Sequence, residues 1–158
     1  AAVDLGYPMV LKTSTQGYDG KGQMIITRAE DIEHSYGLLS SRKVELIVEQ
    51  FVPFQMEIST ICARTADGTT ATFPPSENIH RNHILDVSIV PPRVPDTVIE
   101  NARLLAADIA EQLEVIGLIS VEMFVTKENE LLVNELAPRP HNSGHYTMDG
   151  CDTSQFEQ

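Results

Sequence analysis

The sequence predicts an α+β chain, antiparallel strand pairs with helices beside them. Three observations carry this expectation. Two apolar runs flank a polar tip in LISVEMFVTKENELLVNEL, Leu118 to Leu136, the pattern of a β-hairpin. Met56 to Arg64 and Thr69 to Phe73 flank the turn residues Ala66-Asp67-Gly68, a second antiparallel pair. Thr27 to Glu30 and Thr97 to Glu100 both read T-x-x-E, the capping-box pattern that opens a helix. The length suffices for one domain or two small lobes.

Composition narrows the classes of function. The chain has 158 residues and a formal net charge of −12. Such a surface argues against nucleic acid or an anionic membrane as partner. An anionic small molecule would need a locally basic pocket or a bound cation. No apolar run is long enough to span a membrane, and the start, AAVDLGYP, lacks the pattern of a signal peptide. Cys62 and Cys151 have no metal-ligand spacing, so a reduced, cytoplasmic protein is expected. Neither end looks natural. The first residues read as the tail of a helix and DTSQFEQ as the beginning of one, as in a piece of a longer chain.

In chain order, Tyr7 to Lys12 predicts a short strand entered through Pro8. TSTQGYDGKGQ, residues 13–23, follows, and then a strand from Met24 to Thr27. Gly17, Gly20 and Gly22 let backbone N–H groups approach a ligand, and Lys12 and Lys21 could pair with phosphate oxygens. The spacing is not that of a P-loop, and a plain glycine-rich turn is the competing reading. A helix is expected from the first capping box to about Leu39, a loop over residues 40–43, and a strand from Leu46 to Gln50. Pro53 should break that ladder and expose backbone groups suited to a flat base, or simply connect two strands.

Glu57 stands at the entrance of the next strand, where it could hold a ribose or be an ordinary edge carboxylate. SENIHRNHIL, residues 76–85, reads as a polar loop, with His80 and His83 as hydrogen-bonding loop residues rather than zinc ligands. Val87 to Val90 predicts a strand closed by PPRVP. From the second capping box a helix should run to about Leu113, with Val98, Ala102, Leu105, Ala106, Ile109 and Leu113 as its apolar stripe. Gly117 ends the connection to the hairpin.

If the hairpin tip is a two-residue turn at Glu128-Asn129, Lys127 pairs with Glu130, Val125 with Leu132, and Glu122 with Glu135. That register sets two carboxylates side by side on an apolar ribbon. Directly opposed like charges destabilise a ribbon. The arrangement becomes favourable around a cation, and hard oxygen ligands suit Mg²⁺ or Mn²⁺. A register slipped by one residue would instead send one Glu to solvent. After the hairpin, APRPHNSGHYTMDG crowds Arg139, His141, Asn142, Ser143 and His145 within seven residues. An Arg there gives bidentate recognition of phosphate or carboxylate.

Together LKTSTQGYDGKGQ, EQFVPFQMEIS, ENIHRNHIL, VEMFVTKENELLVNELAPRPHNSGHYT and TSQFEQ resemble the ATP-grasp enzymes. Within them they look like the 5-(carboxyamino)imidazole ribonucleotide synthetase family, the ATPase subunit of phosphoribosylaminoimidazole carboxylase. The resemblance runs almost end to end and is most specific at APRPHNSGH. It implies an ATP-grasp fold of two lobes, residues 1–55 with the glycine-rich loop and 56–158 with the hairpin and the Arg139 turn, and an ATP cleft between them. It also implies a ligase that forms a C–N bond, using ATP and bicarbonate to carboxylate aminoimidazole ribonucleotide through carboxyphosphate in purine biosynthesis.

By that similarity Lys12, the loop Gly17, Tyr18, Asp19, Gly20, Lys21, Gly22 and Gln23, the adenine segment Glu49, Gln50, Phe51 and Val52, the ribose ligand Glu57, and His80 would bind the nucleotide. Asn134 and Glu135 would join them. Glu122 and Glu135 would hold Mg²⁺ or Mn²⁺. Tyr18, Asp19, Arg139, His141, Asn142 and Ser143 would meet the ribonucleotide or carboxyphosphate, with Asp19, Lys21 and Arg139 closest to the chemistry. Many ATP-grasp enzymes carry an Asn two residues after the second metal Glu. Here that position is Ala137, so coordination would rest on the two Glu and water. In the expected register Asn134 faces away from Glu135. The family's amino- and carboxy-terminal domains are expected outside this chain, and a full-length homodimer is implied. Another ATP-grasp carboxylase or ligase, such as a formate-using glycinamide ribonucleotide transformylase, would differ at Tyr18-Asp19 and Arg139 to Ser143; a nucleotide-binding fragment without activity is the alternative of a different class.

Overall fold

The structure is a computed structural model that describes residues 5–14, 22–41 and 44–158. The expectations for Gly17, Tyr18, Asp19, Gly20 and Lys21, and for the first four residues, lie outside that set. The chain divides into two units. One is Ala1–Pro53 with Asn82–Ile84, and the other is Phe54–Arg81 with Leu85–Gln158. Among the described residues no helix is long and apolar enough to cross a membrane.

The first unit is a three-stranded antiparallel sheet and one helix. Strands β1 (Met9–Thr13), β2 (Gln23–Ile26) and β3 (Leu46–Gln50) lie in the order β2-β1-β3. Alternation sends Met9, Leu11 and Ile26 into a small core with Leu39 of helix α1 (Asp31–Ser40). Val10, Lys12, Ile47 and Glu49 occupy the other face, as the period of two requires. Helix α1 starts later than the capping box predicts. Glu30 is its cap residue and makes no side-chain cap bond. Thr27 instead donates to Asp31 (3.0 Å), whose carboxylate also takes the Arg28 Nε–H (3.2 Å).

The second unit is a six-stranded sheet. It contains β4 (Phe54–Arg64), β5 (Thr70–Thr72), β6 (Ser76–Arg81), β7 (Ile84–Ile89), β8 (Gly117–Thr126) and β9 (Leu131–Ala137). The order is β7-β6-β4-β8-β9, with β5 also paired to β4. The segment expected as a polar loop at residues 76–85 is mostly strand. Ser76, Glu77 and Asn78 are buried in β6, and Asn82 and His83, at φ 52° and 64°, make the tight turn into β7. Two positive-φ residues are what a two-residue hairpin of matched twist demands. Asn-His is an unusual way to supply them, which hid the hairpin.

Helix α2 (Asp96–Gln112) covers one face of this sheet. It begins after Pro95 with Asp96 in its first turn, where a carboxylate suits the helix dipole, and Thr97 lies inside it without capping. Val98, Ala102, Ala106 and Ala110 recur every four residues and are fully or almost fully buried against Ile58, Cys62, Ile119, Val121, Met123 and Val125. Leu105 and Ile109 flank that stripe, whereas Leu113 is exposed, past the helix end. The last residues, expected to begin a helix, form turns instead. The turn at Ser154 is closed by Glu157, whose carboxylate accepts from the Ser154 N–H and hydroxyl, each at 2.8 Å.

Three alanines let α2 sit close to the strands, so added volume there has nowhere to go. Ala106→Leu should cost about 1–3 kcal/mol by overpacking, read as a lower urea midpoint at unchanged slope. An unchanged midpoint would mean that this face of α2 is not seated on the sheet.

Candidate functional site

The hairpin β8–β9 carries the two carboxylates. Glu122 and Glu135 are direct cross-strand partners, as the sequence predicts. The tip is not the expected two-residue turn. Thr126 donates its N–H to the Glu130 carbonyl and Asn129 donates to that of Thr126, each at 3.0 Å. Lys127 to Asn129 therefore form a three-residue loop, with Asn129 in the left-handed region at φ 64°. Val125 faces Leu131 rather than Leu132, one residue out of the expected register. A bulge between Glu122 and Met123 then inserts Asn134 without a partner and returns the register to Glu122–Glu135. The strict alternation that would turn Asn134 away from Glu135 does not hold at a bulge, which re-aims side chains locally.

Glu122 is half-buried and Glu135 exposed. Among the described residues no group of three or more His, Cys, Asp or Glu could hold a metal. The set on offer is two opposed carboxylates. That fits Mg²⁺, which is commonly bound through one or two carboxylates with phosphate and water completing the shell. The repulsion between opposed carboxylates is itself a reason for a cation there.

Around Glu122 the second unit assembles residues distant in sequence. Its Oε1 lies 3.1 Å from His141 Nε2. His141 Nδ1 is 2.9 Å from the Ser143 hydroxyl. Ser143, expected to meet the ribonucleotide, is buried, and its hydroxyl accepts from Ser59 at 2.7 Å. Asn78 donates to the Ser59 oxygen (2.9 Å), while its own carbonyl accepts from Ser76 (3.1 Å) and Ser88 (3.2 Å). Asn142 and Arg139 are exposed on the turn that follows β9, where Arg139 donates to the Pro140 carbonyl at 3.0 Å. The turn tightens into a short 3-10 segment, Asn142–Gly144, and a single helical turn α3 (Thr147–Gly150).

Gln155 anchors this turn from the far end of the chain. Its amide oxygen accepts the His141 N–H at 2.9 Å and its amide nitrogen donates to the His141 carbonyl at 2.8 Å. Gly144 is required beneath it: a Cβ there would lie 2.7 Å from the Gln155 amide oxygen and 3.0 Å from Ile61.

Glu57 and His80, both expected at the nucleotide, form an ion pair through His80 Nδ1. His80 lies on β6, not on a loop. Its hydrogen bond to Glu57 pushes its pKa above the ordinary range; partial burial opposes this, and the charges of Glu57 and Glu122 add to it. In the first unit Lys12 pairs with Glu49 (Nζ to Oε2 2.5 Å) diagonally across β1 and β3. Gln23 pairs with Lys12 across β1–β2, Gly22 (φ 96°) accepts the Thr13 N–H through its carbonyl, and Gln50 ends β3. Phe51 and Val52 are half-buried in the irregular link to β4.

Ser59, Ser76, Asn78 and Gln155 were not singled out from sequence. One signal existed: Ser59 sits in an apolar strand, and S-x-N at Ser76 and Asn78 has the period of two.

This arrangement defines a class first. It is an antiparallel α+β chain whose hairpin presents paired carboxylates beside an Arg- and His-bearing turn, a set suited to phosphate chemistry. Residues 1–156 match the ATP-grasp domain, and the chain belongs to the ATP-grasp family. It is 51% identical over its whole length to the N5-carboxyaminoimidazole ribonucleotide synthase of Bacillus subtilis, of which it covers 41%. It is 44% identical over 98% of its length to the phosphoribosylaminoimidazole carboxylase of Saccharomyces cerevisiae, covering 27% of that protein. Among solved structures, an N5-carboxyaminoimidazole ribonucleotide synthetase in complex with ADP matches with a TM-score of 0.92 at 49% identity, over 99% of this chain and 41% of that one. The synthase of Aspergillus clavatus, in complex with ADP and aminoimidazole ribonucleotide, matches with a TM-score of 0.90 at 31% identity, over 98% of this chain and 40% of that one. The chain thus spans less than half the length of each of these relatives.

A raised histidine pKa stabilises the fold below the unfolded value of 6.5, and the contribution is lost as pH rises through the folded value. His80→Gln should therefore cost more stability at about pH 6 than at about pH 9. Urea midpoints of both proteins across that range check it. A difference that grows with pH would contradict the pairing with Glu57.

Proposed function

We propose that the protein carrying this chain is an ATP-dependent carboxylating ligase that acts on 5-aminoimidazole ribonucleotide in purine (IMP) biosynthesis. Bicarbonate attacks the γ-phosphorus of ATP, the bond to ADP breaks, and carboxyphosphate results. The exocyclic amine of the ribonucleotide then attacks the carboxyl carbon. Inorganic phosphate leaves, the amine loses a proton, and 5-carboxyaminoimidazole ribonucleotide is formed. The observation that supports this most is the opposition of Glu122 and Glu135 a few residues before the turn that carries Arg139, His141 and Asn142. Relatives named for this reaction, crystallised with ADP and with the ribonucleotide, support the choice of substrates.

In this reading Lys12 contacts the nucleotide, Glu49 to Val52 hold adenine, Glu57 holds the ribose, and His80 orients Glu57. Glu122 and Glu135 would hold Mg²⁺ or Mn²⁺, which would supply positive charge against phosphate oxygens. Asn134, re-aimed by the bulge, lies beside that ligand set. Arg139 and Asn142 grip the ribonucleotide or carboxyphosphate, Arg139 by a planar fork of donors. Gly17 to Gln23 act on the phosphates through backbone N–H groups and Lys21, with Tyr18 and Asp19 toward the ribonucleotide. Little covalent work falls to the protein, so its contribution is positioning and electrostatic stabilisation. The full-length protein would be a homodimer.

ADP release by the full-length protein with bicarbonate should depend on added aminoimidazole ribonucleotide. Release indifferent to it would sink the substrate assignment. Glu135→Gln should abolish Mg²⁺-dependent turnover while leaving stability within about 0.5 kcal/mol, the usual range for a surface position. Near-normal turnover in that variant would remove the metal role.

A further inference from the structure

We infer that Gln155, Ser59 and Ser143 are positioning residues. They fix the place and the tautomer of His141, so that its Nε2–H holds one oxygen of Glu122 and leaves the other for a cation. The inference rests on the metal role proposed above for Glu122. It starts from burial: Gln155 is 0% exposed and Ser143 1%. Polar groups so deep must be bonded, and each bond then has a direction.

That direction can be followed atom by atom. Asn78 Nδ2 has only hydrogens to offer, so the Ser59 oxygen accepts from it. The Ser59 hydroxyl has Ser76 at 3.1 Å and Ser143 at 2.7 Å; Ser76 gives its own hydrogen to Asn78, and Ser59 gives its hydrogen to the shorter contact, Ser143. Ser143, having accepted one hydrogen, has its own left, and the acceptor 2.9 Å away is His141 Nδ1. The Ser143 backbone N–H donates to the Asn142 side-chain oxygen at 3.0 Å and lies 3.4 Å from Nδ1 as a secondary contact. With the Ser143 hydroxyl as its donor, Nδ1 is the acceptor nitrogen, so the ring hydrogen sits on Nε2. Nε2 is the atom 3.1 Å from Glu122 Oε1.

Gln155 fixes the other coordinate. Its amide brackets both the N–H and the C=O of His141, as a neighbouring strand would. Its own backbone N–H is held by the Thr147 hydroxyl (2.9 Å), which in turn donates to the Gly144 carbonyl (2.7 Å). His141 is thereby set in position at the main chain and in rotation at the ring. Groups that orient a metal-binding carboxylate in this way tune it without touching substrate.

The test uses the full-length protein with histidine labelled at the ring nitrogens, the His141 signals being those missing in His141→Gln. In the wild type without metal, Nδ1 should have the shift of an unprotonated nitrogen and Nε2 that of a protonated one. Ser59→Ala and Ser143→Ala should move both toward a tautomeric average. A wild-type ring with its hydrogen on Nδ1, or ring signals unchanged in both variants, would overturn the inference. Gln155→Leu should lower kcat by about 10–100-fold with little change in KM for ATP; an unchanged kcat would remove Gln155 from the set. Where Gln155→Leu does not fold, the Ser59→Ala spectrum decides. The ring spectrum is read without turnover, so it separates this inference from the proposed reaction. ADP release independent of the ribonucleotide, with the expected spectrum, would remove the substrate and leave the positioning standing. The opposite pair of results would do the reverse.

Discussion

The pairing of β4 with β8 is the constraint on which the second unit depends. From Met56–Val125 to Arg64–Gly117 the antiparallel register runs without a break, so successive side chains must alternate between two faces. Both faces are buried. Ile58, Cys62, Ile119, Val121 and Met123 go under α2, while Ser59 and Glu122, themselves a cross-strand pair, go to the other side. A slip of one residue would put Ser59 beneath the helix and Ile58 among the hydrogen bonds. Such an exchange would cost hydrogen bonds, because Asn78 and Ser143 would lose the Ser59 hydroxyl that lies 2.9 Å and 2.7 Å from them. The apolar core and the polar network therefore lock the same register from opposite sides. The position of Glu122 is a consequence of that lock.

Glu135 reaches its place by a different route, and this shows what a sequence can and cannot reveal about a hairpin. The opposition of Glu122 and Glu135 was legible from the two apolar runs, yet the path to it was not. Counting from a two-residue turn happens to give the right pair because two irregularities cancel. The three-residue loop shifts the ladder by one and the bulge at Asn134 shifts it back. Neither leaves a strong local mark. Asn129 at positive φ is compatible with either loop length, and Asn134 follows a regular apolar run. A loop corrected by a bulge also makes functional sense. It lets the outer half of β9 pair apolar residues with Phe124 and Val125, while the inner half sets a carboxylate against Glu122.

Elsewhere the legible parts were those whose signal is local. The strand Leu46–Gln50, the β4–β5 turn and the apolar face of α2 follow from periodicity and turn residues. The helix starts were placed wrongly because T-x-x-E is a pattern of composition. At α2 the fixed backbone of Pro95 decides where the helix begins, and at α1 the Asp31 carboxylate engages Thr27 and Arg28 instead. Strand β6 was missed for a deeper reason. Ser76, Glu77 and Asn78 read as loop because buried strands are usually apolar, and the partners that satisfy these three come from β4, β7, residue 93 and the turn after β9. Only the assembled sheet supplies them. Gln155 belongs to the same category, since its role exists only once His141 is brought beside it.

The choice of partner for each carboxylate separates structure from site. Glu77 is buried and clamped by Arg93, whose Nε lies 2.9 Å away and whose backbone N–H adds a 3.3 Å contact. The Arg93 hydrogen bond holds its carboxyl below the usual range, and a fork of donors leaves little of it for anything else. Glu57 and Glu122 have histidines instead. One ring nitrogen engages one carboxylate oxygen, and the ring need not carry a full charge to do so. An arginine in either place would occupy both oxygens. Histidine orients the carboxylate while leaving half of it free. On the proposed reading, in which Glu122 meets a cation, that is the property the group needs, and it fits a Glu122 placed under a histidine that is itself held at both backbone and ring.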